Sequence, residues 1–594
     1  MTDDPTALGA SLRRYNAFLL LVAGLGGLLY GIDVGIIGGA LPYLEATSHL
    51  SLGQLSVIVA AVLLGGVFST LFAGLLADWM GRKKLMILSG LTFVVSIPVI
   101  ALSSGFMPLF WGRLLQGVSA GLVGIVVPLY LAECLEAKNR GKGTGAFQWL
   151  LTLGIVVAAL VGIYYSYRVT SVAQTATASA LFQFKDQAWR RIFWVSLPPG
   201  LFFVLGSMLV AESPRWLYRR GQVEEARAAL LRSRTPEQAE FELEEMATVA
   251  SVAEEKKTGA QAKDSLLRRK YVIPFLLACA ILFLNQGTGI NSIIGYNTGI
   301  LLQSGLSDLA AHWGYVAFTC VNFLLTMVGM SLVDKRGRRF LILFGLSGII
   351  ASLLYVGVLF VGTERQTVNV APAVQAMLDA DPHAKLTFDR AASRKLLAGQ
   401  TAIDPDRASL EIIYSYGDFT AATNFVRSDD SAAAPIEIDR ASSLPSGKID
   451  AFFKNPTGNL AAAQTAPLRI QKAIIAPIPS AQHGWLVALG LYAFIASYAF
   501  GPGVVVWLAL SELMPTRIRS NGMSIALVLN QLLSAILAGI FLPFVGRWGY
   551  SSIFFLFAGF TVVYIAIAGF FLPETKGKTL EEIEAVFEGQ GRRD

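Results

Sequence analysis

Amide side chains recur inside the apolar stretches of this 594-residue chain. An amide both donates and accepts hydrogen bonds, so it can bind a polar ligand. Within an apolar stretch an amide is costly unless it faces a cavity or a partner. The pattern therefore predicts a polar binding site enclosed by apolar segments, formed by Gln148, Asn285, Gln286, Asn291, Asn322, Asn530 and Gln531.

Two apolar stretches carry the signs of a broken helix next to these amides. The tripeptide GTG separates Gln286 from Asn291, and GPG at 501–503 precedes Trp507. Glycine and proline interrupt helices, and the backbone groups freed by a break can line a site. Trp507 would supply an aromatic wall. Tyr30 and Tyr296 can add aromatic surface, whereas Tyr498 is interpreted as a packing residue.

One carboxyl group and one guanidinium lie deep in apolar stretches. Asp33 lies in YGIDVG and Arg113 in GRLLQG. Ionisable groups at such depth are functional candidates, and each is the natural partner of the other. The arginine favours the ionised carboxyl and burial favours the neutral one, so Asp33 can carry a proton while Arg113 stays charged. The alternative is a permanent ion pair with a structural role.

The composition places these residues in a membrane. Hydrophobic residues make up 54% of the chain and charged residues 15%, and the mean hydropathy is +0.56; soluble domains carry about a quarter charged residues. The net charge of +7 comes from clusters between apolar stretches, which orient a chain in the bilayer, so we expect no nucleic-acid partner. The 3 cysteines and 4 histidines have no metal-site or triad spacing, so we expect no metal, no cofactor and no enzymatic activity.

Twelve apolar stretches approach or exceed the length of about 20 residues that a membrane helix needs. Basic clusters precede span 1 and follow spans 2, 4, 8 and 10, which puts them on one side of the membrane. The positive-inside rule makes that side the cytoplasm, with both termini there. The predicted spans lie near 16–40, 54–77, 85–105, 108–132, 144–166, 191–211, 271–302, 311–333, 340–362, 484–510, 521–546 and 550–572.

Two polar segments divide the chain further. One lies between spans 6 and 7, and its pattern predicts helices. The other lies between spans 9 and 10, outside the membrane. In the second, LEIIYSY and PLRIQKAIIAPI predict strands and VQAMLDA predicts a short helix. The predicted parts are a six-helix bundle (1–211), a cytoplasmic helical linker (212–270), a second six-helix bundle (271–362 and 483–572), an external α+β insertion (363–482) and a cytoplasmic tail (573–594).

Acid–base motifs recur at matched ends of the two halves. Asp78 and Asp334 lie 256 positions apart, and a Glu-to-Arg spacing of seven follows both span 4 and span 10. Parallel six-helix repeats are typical of transporters that alternate access to a central site. Unless these residues only set the topology, we expect a cytoplasmic gate of ion pairs, closed in the outward-facing state, from Asp78, Arg82, Glu133, Arg140, Glu212, Arg215, Asp334, Arg338, Glu512 and Arg519.

The chain resembles the sugar porter family of the major facilitator superfamily, including bacterial xylose/proton symporters and glucose facilitators. The resemblance covers nearly the whole chain except 363–482, where the family has a short loop. It implies an all-α membrane protein of twelve helices in two pseudo-symmetric bundles, a monomer in the lipid bilayer, and a small sugar as ligand. Its motifs are GGLLYGIDVGIIGGAL, GLLADWMGRKK, GRLLQGVSAGL, PLYLAE, ESPRWL, NQGTGINSIIGY, VDKRGRR, GPGVVVWLALSELMPTRIR and PETKGKTLEEIE.

The resemblance assigns contacts with the sugar to Trp507 and to all the amides named above except Gln531. Two positions depart from the family: Asn285 stands where many relatives have glutamine, and Gln531 stands where xylose and glucose relatives have tryptophan. The second change favours a different or more polar ligand. Asp33 resembles the aspartate of proton-coupled members, where facilitators commonly have a neutral residue.

These features predict a proton-coupled symporter that imports a pentose or hexose by alternating access across a bacterial inner membrane. The alternatives are a facilitative sugar uniporter, an inositol transporter, a eukaryotic plasma-membrane location and, more remotely, a sugar sensor that does not transport. The insertion leaves room for an unidentified external partner.

Overall fold

The structure, a computed structural model, describes part of the chain. The described residues are 5–48, 50–135, 137–258, 269–380, 386–398, 403–423, 426–429, 435–436, 438, 440, 444–445, 447, 451, 455, 457–514, 518–576, 582 and 587. Their side chains are described except at 5–10, 137–142, 144, 249–258, 270, 334, 507–512 and 519–521.

The first half of the chain forms six membrane spans. In a bilayer each backbone N–H and C=O needs a partner within the chain, and a helix provides all of them. The sixth span is two helices, and it begins well before the predicted residue 191 because its first turns carry polar side chains. The helices are α1 (Pro5–Thr47), α2 (Leu52–Met80), α3 (Arg82–Ala101), α4 (Phe106–Cys134), α5 (Ala137–Ala173), α6 (Ala178–Trp194) and α7 (Leu197–Leu209).

Three shorter helices follow: α8 (Pro214–Arg219), α9 (Val223–Leu231) and α10 (Pro236–Thr258). They pack against the first turns of α1 and the last turn of α4. The Asn16 side chain donates to the Ser233 carbonyl at 3.2 Å, and buried Arg234 donates to the Cys134 carbonyl at 3.2 Å. We call the side of the molecule with this linker the terminal face, because an even number of spans brings both chain ends to it.

The second half begins with α11 (Arg269–Gly287), α12 (Ile290–Gln303), α13 (Asp308–Arg336) and α14 (Arg338–Glu364). The seventh span is broken between α11 and α12, where Gly289 has a φ of +81°. Only glycine adopts this backbone conformation without strain. The break predicted from the GTG sequence is therefore confirmed.

The insertion folds into a small antiparallel sheet with short helices. Its elements are β1 (Val368–Asn369), α15 (Ala371–Ala380), α16 (Arg390–Leu396), β2 (Ala408–Tyr416), β3 (Phe419–Ala422), β4 (Val426–Arg427), α17 (Leu460–Thr465) and β5 (Leu468–Pro477). The strand order is β1-β5-β2-β3, with β4 also pairing with β2. The two predicted strands and the predicted helix are confirmed. Glu411 of β2 lies against Gly546 of the last-but-one span, so the sheet contacts the membrane helices.

The chain returns to the membrane with α18 (Ala481–Phe500), α19 (Pro502–Leu513), α20 (Arg519–Trp548) and α21 (Tyr550–Phe571). The tenth span is broken at Gly501, as predicted. In total, twelve described segments are long and apolar enough to cross a membrane, which confirms the predicted number. The halves meet where α1, α2 and α5 pack against α12, α20 and α13. The side of the molecule that carries the insertion is the insertion face.

Candidate functional site

A network of amides joins α11, α12 and α20 in the second half. The Gln286 Nε2 donates to Asn530 Oδ1 at 3.2 Å, and Asn291 Nδ2 donates to Gln286 Oε1 at 3.1 Å. Asn291 also donates to Ser534 Oγ at 2.8 Å, and Asn530 to the Leu282 carbonyl at 2.9 Å. The break at Gly289 turns α12 so that Asn291 faces back to Gln286. The structure therefore brings together three of the predicted ligand-binding amides.

Asn285 lies beside this network with a different partner. Its Nδ2 donates to the Tyr498 hydroxyl of α18 at 3.1 Å. Its Oδ1 is buried and accepts no hydrogen bond from the described residues. The Tyr498 hydroxyl thus orients this amide, and whether Tyr498 does more than pack stays a prediction. A buried acceptor without a donor is costly, and a ligand hydroxyl would satisfy it.

Gln531 faces the boundary between the two halves rather than the amide network. Its side chain faces the Tyr30 hydroxyl of α1. It also lies 3.8 Å from the position that a Cβ would take on Gly66 of α2. The amide of Gln531 thus lies where α20 meets the first half.

Gln148 and Asn322 come from opposite halves. Each directly precedes an aromatic residue, and those two rings, Trp149 and Phe323, stack with centroids 5.4 Å apart. The Trp149 indole N–H points to the Met327 sulfur at 2.9 Å. Gln148 is half-buried and Asn322 is buried, and each lies one residue before a ring of this contact between α5 and α13. The side chain of Trp507 lies outside the described residues.

Asp33 and Arg113 form a buried ion pair between α1 and α4. An Arg113 guanidinium nitrogen lies 3.7 Å from Asp33 Oδ1, and both side chains are almost fully buried. Arg113 donates to Gln116 Oε1 at 2.6 Å and lies 5.6 Å from the centre of the Phe193 ring. Neither carboxylate oxygen of Asp33 accepts a hydrogen bond from the described residues. The pair is therefore held by charge and burial rather than by hydrogen bonds to the carboxylate.

A buried arginine organises the terminal face of the first half. Arg82, 2% exposed, contacts Glu133 at 2.8 Å and Asp78 at 3.1 Å. It also donates to the Ala77 carbonyl at 2.9 Å. Glu133 accepts a further hydrogen bond from Ser213 at 2.5 Å. Three predicted gate residues therefore meet, and they tie α2, α3, α4 and the linker together within one half.

Glutamates at the ends of spans 6 and 12 cap the third and ninth spans. Glu212 accepts the backbone N–H groups of Arg82 and Lys83 at 2.9 and 3.1 Å. Glu574 accepts those of Arg338 and Arg339 at 2.9 and 3.1 Å. A carboxylate at a helix N-terminus satisfies free N–H groups and complements the helix dipole.

The remaining predicted gate residues have different outcomes. Arg338 donates to the Val333 carbonyl at 3.4 Å. Arg215 is half-buried and makes no ion pair or hydrogen bond with the described part of the chain. The side chains of Arg140, Asp334, Glu512 and Arg519 lie outside the described residues. The closing of a gate by these residues stays a prediction.

Polar contacts join the two halves on the insertion face. Asp308 of α13 accepts the Tyr43 hydroxyl at 2.8 Å and the Ser166 hydroxyl at 2.5 Å. The Tyr315 hydroxyl donates to the Gly35 carbonyl at 2.9 Å. Nearby, the Tyr296 hydroxyl of α12 donates to the Ala538 carbonyl at 2.8 Å and contacts Ser56 of α2 at 3.3 Å. These bonds hold the halves together on this side.

The sequence carries signals for some of these partners. Ser534 follows Asn530 by four residues and Gln116 follows Arg113 by three, spacings that place side chains on one helix face. Asp308 and His312 are ionisable groups at or inside a predicted span. An ionisable residue at such a position is by itself a candidate functional residue. Their partners in the other half carry no such signal.

Known proteins resemble this chain over its length. The family described as "Sugar (and other) transporter" matches residues 19–378 and 463–587. The proton myo-inositol cotransporter of Homo sapiens is 27% identical over 97% of this chain and 82% of its own length. The glucose transporter GlcP of Staphylococcus epidermidis is 30% identical over 58% of this chain and 72% of its own length.

Solved structures show the same fold. A partially occluded inward-open structure of the xylose transporter XylE from E. coli has a TM-score of 0.63 and 19% identity, and the alignment covers 95% of this chain and all of that one. The family match spans most of the chain and the twelve spans fit the fold. The chain belongs to the sugar transporter family and is a multi-pass membrane transporter with the major facilitator fold, not an enzyme.

Proposed function

We propose that the chain is a proton-coupled symporter for a small polyhydroxylated ring, and that it imports this solute across a bacterial inner membrane with both termini in the cytoplasm. The observation that carries the proposal is the buried Asp33–Arg113 pair, 3.7 Å apart. Tyr30 lies one helical turn before Asp33 and reaches Gln531 in the other half. A change at the carboxyl can therefore act on the boundary that must open and close around the solute.

The solute site uses the amides of the second half. Asn285 offers a buried carbonyl oxygen without a donor, and the Gln286–Asn291–Asn530 network can exchange internal hydrogen bonds for bonds to ring hydroxyls. Gln148 of α5 and Asn322 of α13 add one amide from each half. Because amides donate and accept, they bind hydroxyls in either orientation.

Coupling follows from the charge of Asp33. In the hydrated, outward-facing state the carboxyl takes up a proton and releases Arg113. In the inward-facing state the proton leaves and the pair forms again. One proton that enters down a membrane potential supplies about 2.3 kcal/mol per 100 mV. That supports about fifty-fold accumulation of the solute, since 1.4 kcal/mol is a factor of ten.

The contacts between the halves support an inward-facing arrangement for this structure. Tyr43 and Ser166 bond to Asp308, and Tyr296 bonds to Ser56, across the halves on the insertion face. On the terminal face, the contacts of Arg82 and Glu212 stay within the first half and its linker. With the terminal face in the cytoplasm, a closed insertion face fits a site that opens towards the inside.

A cyclic polyol is the second candidate solute. Gln531 stands where an aromatic side chain would form a wall of the site. An aromatic wall favours a ring with an apolar face, whereas an amide favours a ring that carries hydroxyls around its whole edge. The similarity to a proton myo-inositol cotransporter supports this reading of the site.

The test is uptake into proteoliposomes of labelled xylose, glucose and myo-inositol. We expect saturable uptake of at least one of these solutes. Gln286→Ala should abolish it, and Gln303→Ala, which removes the amide at the last residue of α12, should retain it. Equal uptake by the two variants would contradict the assigned site. No uptake of any of the three would contradict the proposed solute class.

A further inference from the structure

His312 is buried in α13 with a backbone carbonyl at each ring nitrogen. Its Nδ1 lies 2.9 Å from the carbonyl oxygen of Asp308, and its Nε2 lies 3.3 Å from that of Gly39 in α1. A carbonyl oxygen only accepts, whereas a neutral imidazole carries a single N–H. The doubly protonated imidazolium is therefore the form that satisfies both contacts.

A carboxylate next to the ring supplies the matching charge. Asp308 Oδ1 lies 3.5 Å from His312 Nδ1. Its Oδ2 accepts hydroxyl hydrogens from Tyr43 and Ser166 at 2.8 and 2.5 Å. A carboxyl that only accepts hydrogen bonds suits the ionised form. The Tyr43 ring also stacks on the imidazole, with centroids 5.6 Å apart and planes 9° apart, which suits a cation.

The contacts between Asp308 and His312 lie within α13. The other contacts, with Gly39, Tyr43 and Ser166, join the two halves of the molecule. Gly39 and Tyr43 belong to α1 and Ser166 to α5, whereas Asp308 and His312 belong to α13. We call these five residues the insertion-face latch. The latch exists only while the halves meet on the insertion face.

The other groups around the ring do not supply a competing charge among the described residues. On α13 itself, the Tyr315 hydroxyl donates to the Gly35 carbonyl. Gly162 of α5 lies against the imidazole carbon Cδ2. Tyr492 of α18 packs beside Gly314, and Tyr296 of α12 points instead to α20.

We propose that His312 is a second proton-linked group of the transport cycle, protonated when the insertion-face latch closes and deprotonated after it opens. The proposal rests on the proposed function, because it needs two alternating conformations. The proton comes from water on the insertion side while the halves are apart, and it returns to the same side on reopening. The latch therefore transports no proton itself; acid on the insertion side favours closure.

The test measures the distance between two spin labels across the insertion face as a function of pH. Gln174→Cys after α5 and Gln366→Cys after α14 are exposed positions in different halves. The labelled protein has Cys134, Cys279 and Cys320 replaced by serine, and it carries Asp33→Asn so that the other proton site is silent. Histidine ordinarily titrates between about pH 5 and 8, so that range is scanned.

We expect the short distance to dominate at low pH and the open-to-closed ratio to rise about tenfold towards pH 8, as one charge-assisted hydrogen bond is lost. His312→Gln should abolish this response, and His483→Gln, a control histidine at the start of α18, should keep it. Should His312→Gln fail to fold, Asp308→Asn tests the same point, because it removes the counter-charge of the latch and should weaken the response to pH.

Two results would overturn the proposal in distinguishable ways. If added glucose or myo-inositol shifts the distance but pH does not, or if His312→Gln responds to pH like its parent, the latch assignment is wrong. If the distance stays the same at every pH and with either solute, the alternating mechanism itself is wrong.

Discussion

Glu212 and Glu574 hold equivalent places in the two halves of the molecule. Each follows the last span of its half and accepts the first two backbone N–H groups of the third span of that half. The glycines that precede those N–H groups, Gly81 and Gly337, have φ values of +93° and +90° and lie 256 positions apart. The internal repeat predicted from the motifs therefore recurs as a repeated three-dimensional contact.

Glu212→Gln should destabilise the protein measurably. The glutamine oxygen is neutral, so two charge-assisted hydrogen bonds become weaker ones at a loss of about 1.5–3 kcal/mol. Glu574→Gln should have a similar effect because the contact is repeated. Thermal unfolding of the detergent-solubilised protein measures this. Glu225→Gln, at the exposed first turn of α9, is the control. If all three variants have the same Tm as the wild type, Glu212 and Glu574 do not stabilise the helix ends.

Gln531→Trp should change the choice of solute. The indole adds an apolar wall and removes the amide that faces Tyr30. The affinity for glucose or xylose relative to that for myo-inositol should therefore rise by about tenfold. Competition against a labelled solute measures the ratio. Leu532→Trp adds the same ring at the neighbouring exposed position and should leave the ratio unchanged. The same ratio in both variants would show that Gln531 does not select the solute.

The contact of the insertion with the membrane helices should weaken above neutral pH. Burial, and next the charge of Glu45, raise the pKa of Glu411 to about 7, although Lys472 acts in the opposite direction. When the insertion undocks, this carboxyl returns towards its ordinary, lower pKa. The docked form therefore binds the proton more tightly, and its stability is lost as pH rises through about 7.

Hydrogen exchange of β2 and β5 at pH 5.5 to 8.5 checks this expectation. After correction for the intrinsic pH dependence of amide exchange, the protection of β2 and β5 in the wild type should fall as pH rises through about 7. In Glu411→Gln this fall in protection should be smaller. Asp379→Asn, an exposed carboxyl of α15, should behave as the wild type does. A wild-type protection that is independent of pH would mean that the Glu411 carboxyl is not buried at this contact.

Much of the fold was predictable because apolar length and glycine position act locally. The break at Gly289 and the strand at Ala408–Tyr416 follow from neighbouring residues alone. The pairing of β2 with both β3 and β5 does not, since it depends on segments far apart in sequence.

The candidate site was predictable in its residue types but less so in its contacts. Asn291 and Asn530 were identified as amides at membrane depth, whereas the bond from Asn285 to Tyr498 depends on how α11 and α18 approach each other. The partner of His312 is a backbone carbonyl of Gly39. Every residue has such a carbonyl, so no side-chain pattern could mark this one.

The central claim is that Asp33 couples proton entry to solute accumulation. The most direct test compares wild type and Asp33→Asn in proteoliposomes with an inward proton gradient, using the solute that the uptake panel identifies. Exchange of labelled for unlabelled solute without a gradient serves as the internal control, and Asp379→Asn as the control for loss of a carboxyl outside the membrane.

We expect the wild type and Asp379→Asn to concentrate the solute above equilibrium, with a limit of about fifty-fold per 100 mV. Asp33→Asn should stop at equilibrium while its exchange continues, because the solute site remains intact. Concentrative uptake by Asp33→Asn, or a wild type that only equilibrates the solute, would contradict the account and leave Asp33–Arg113 as a structural pair.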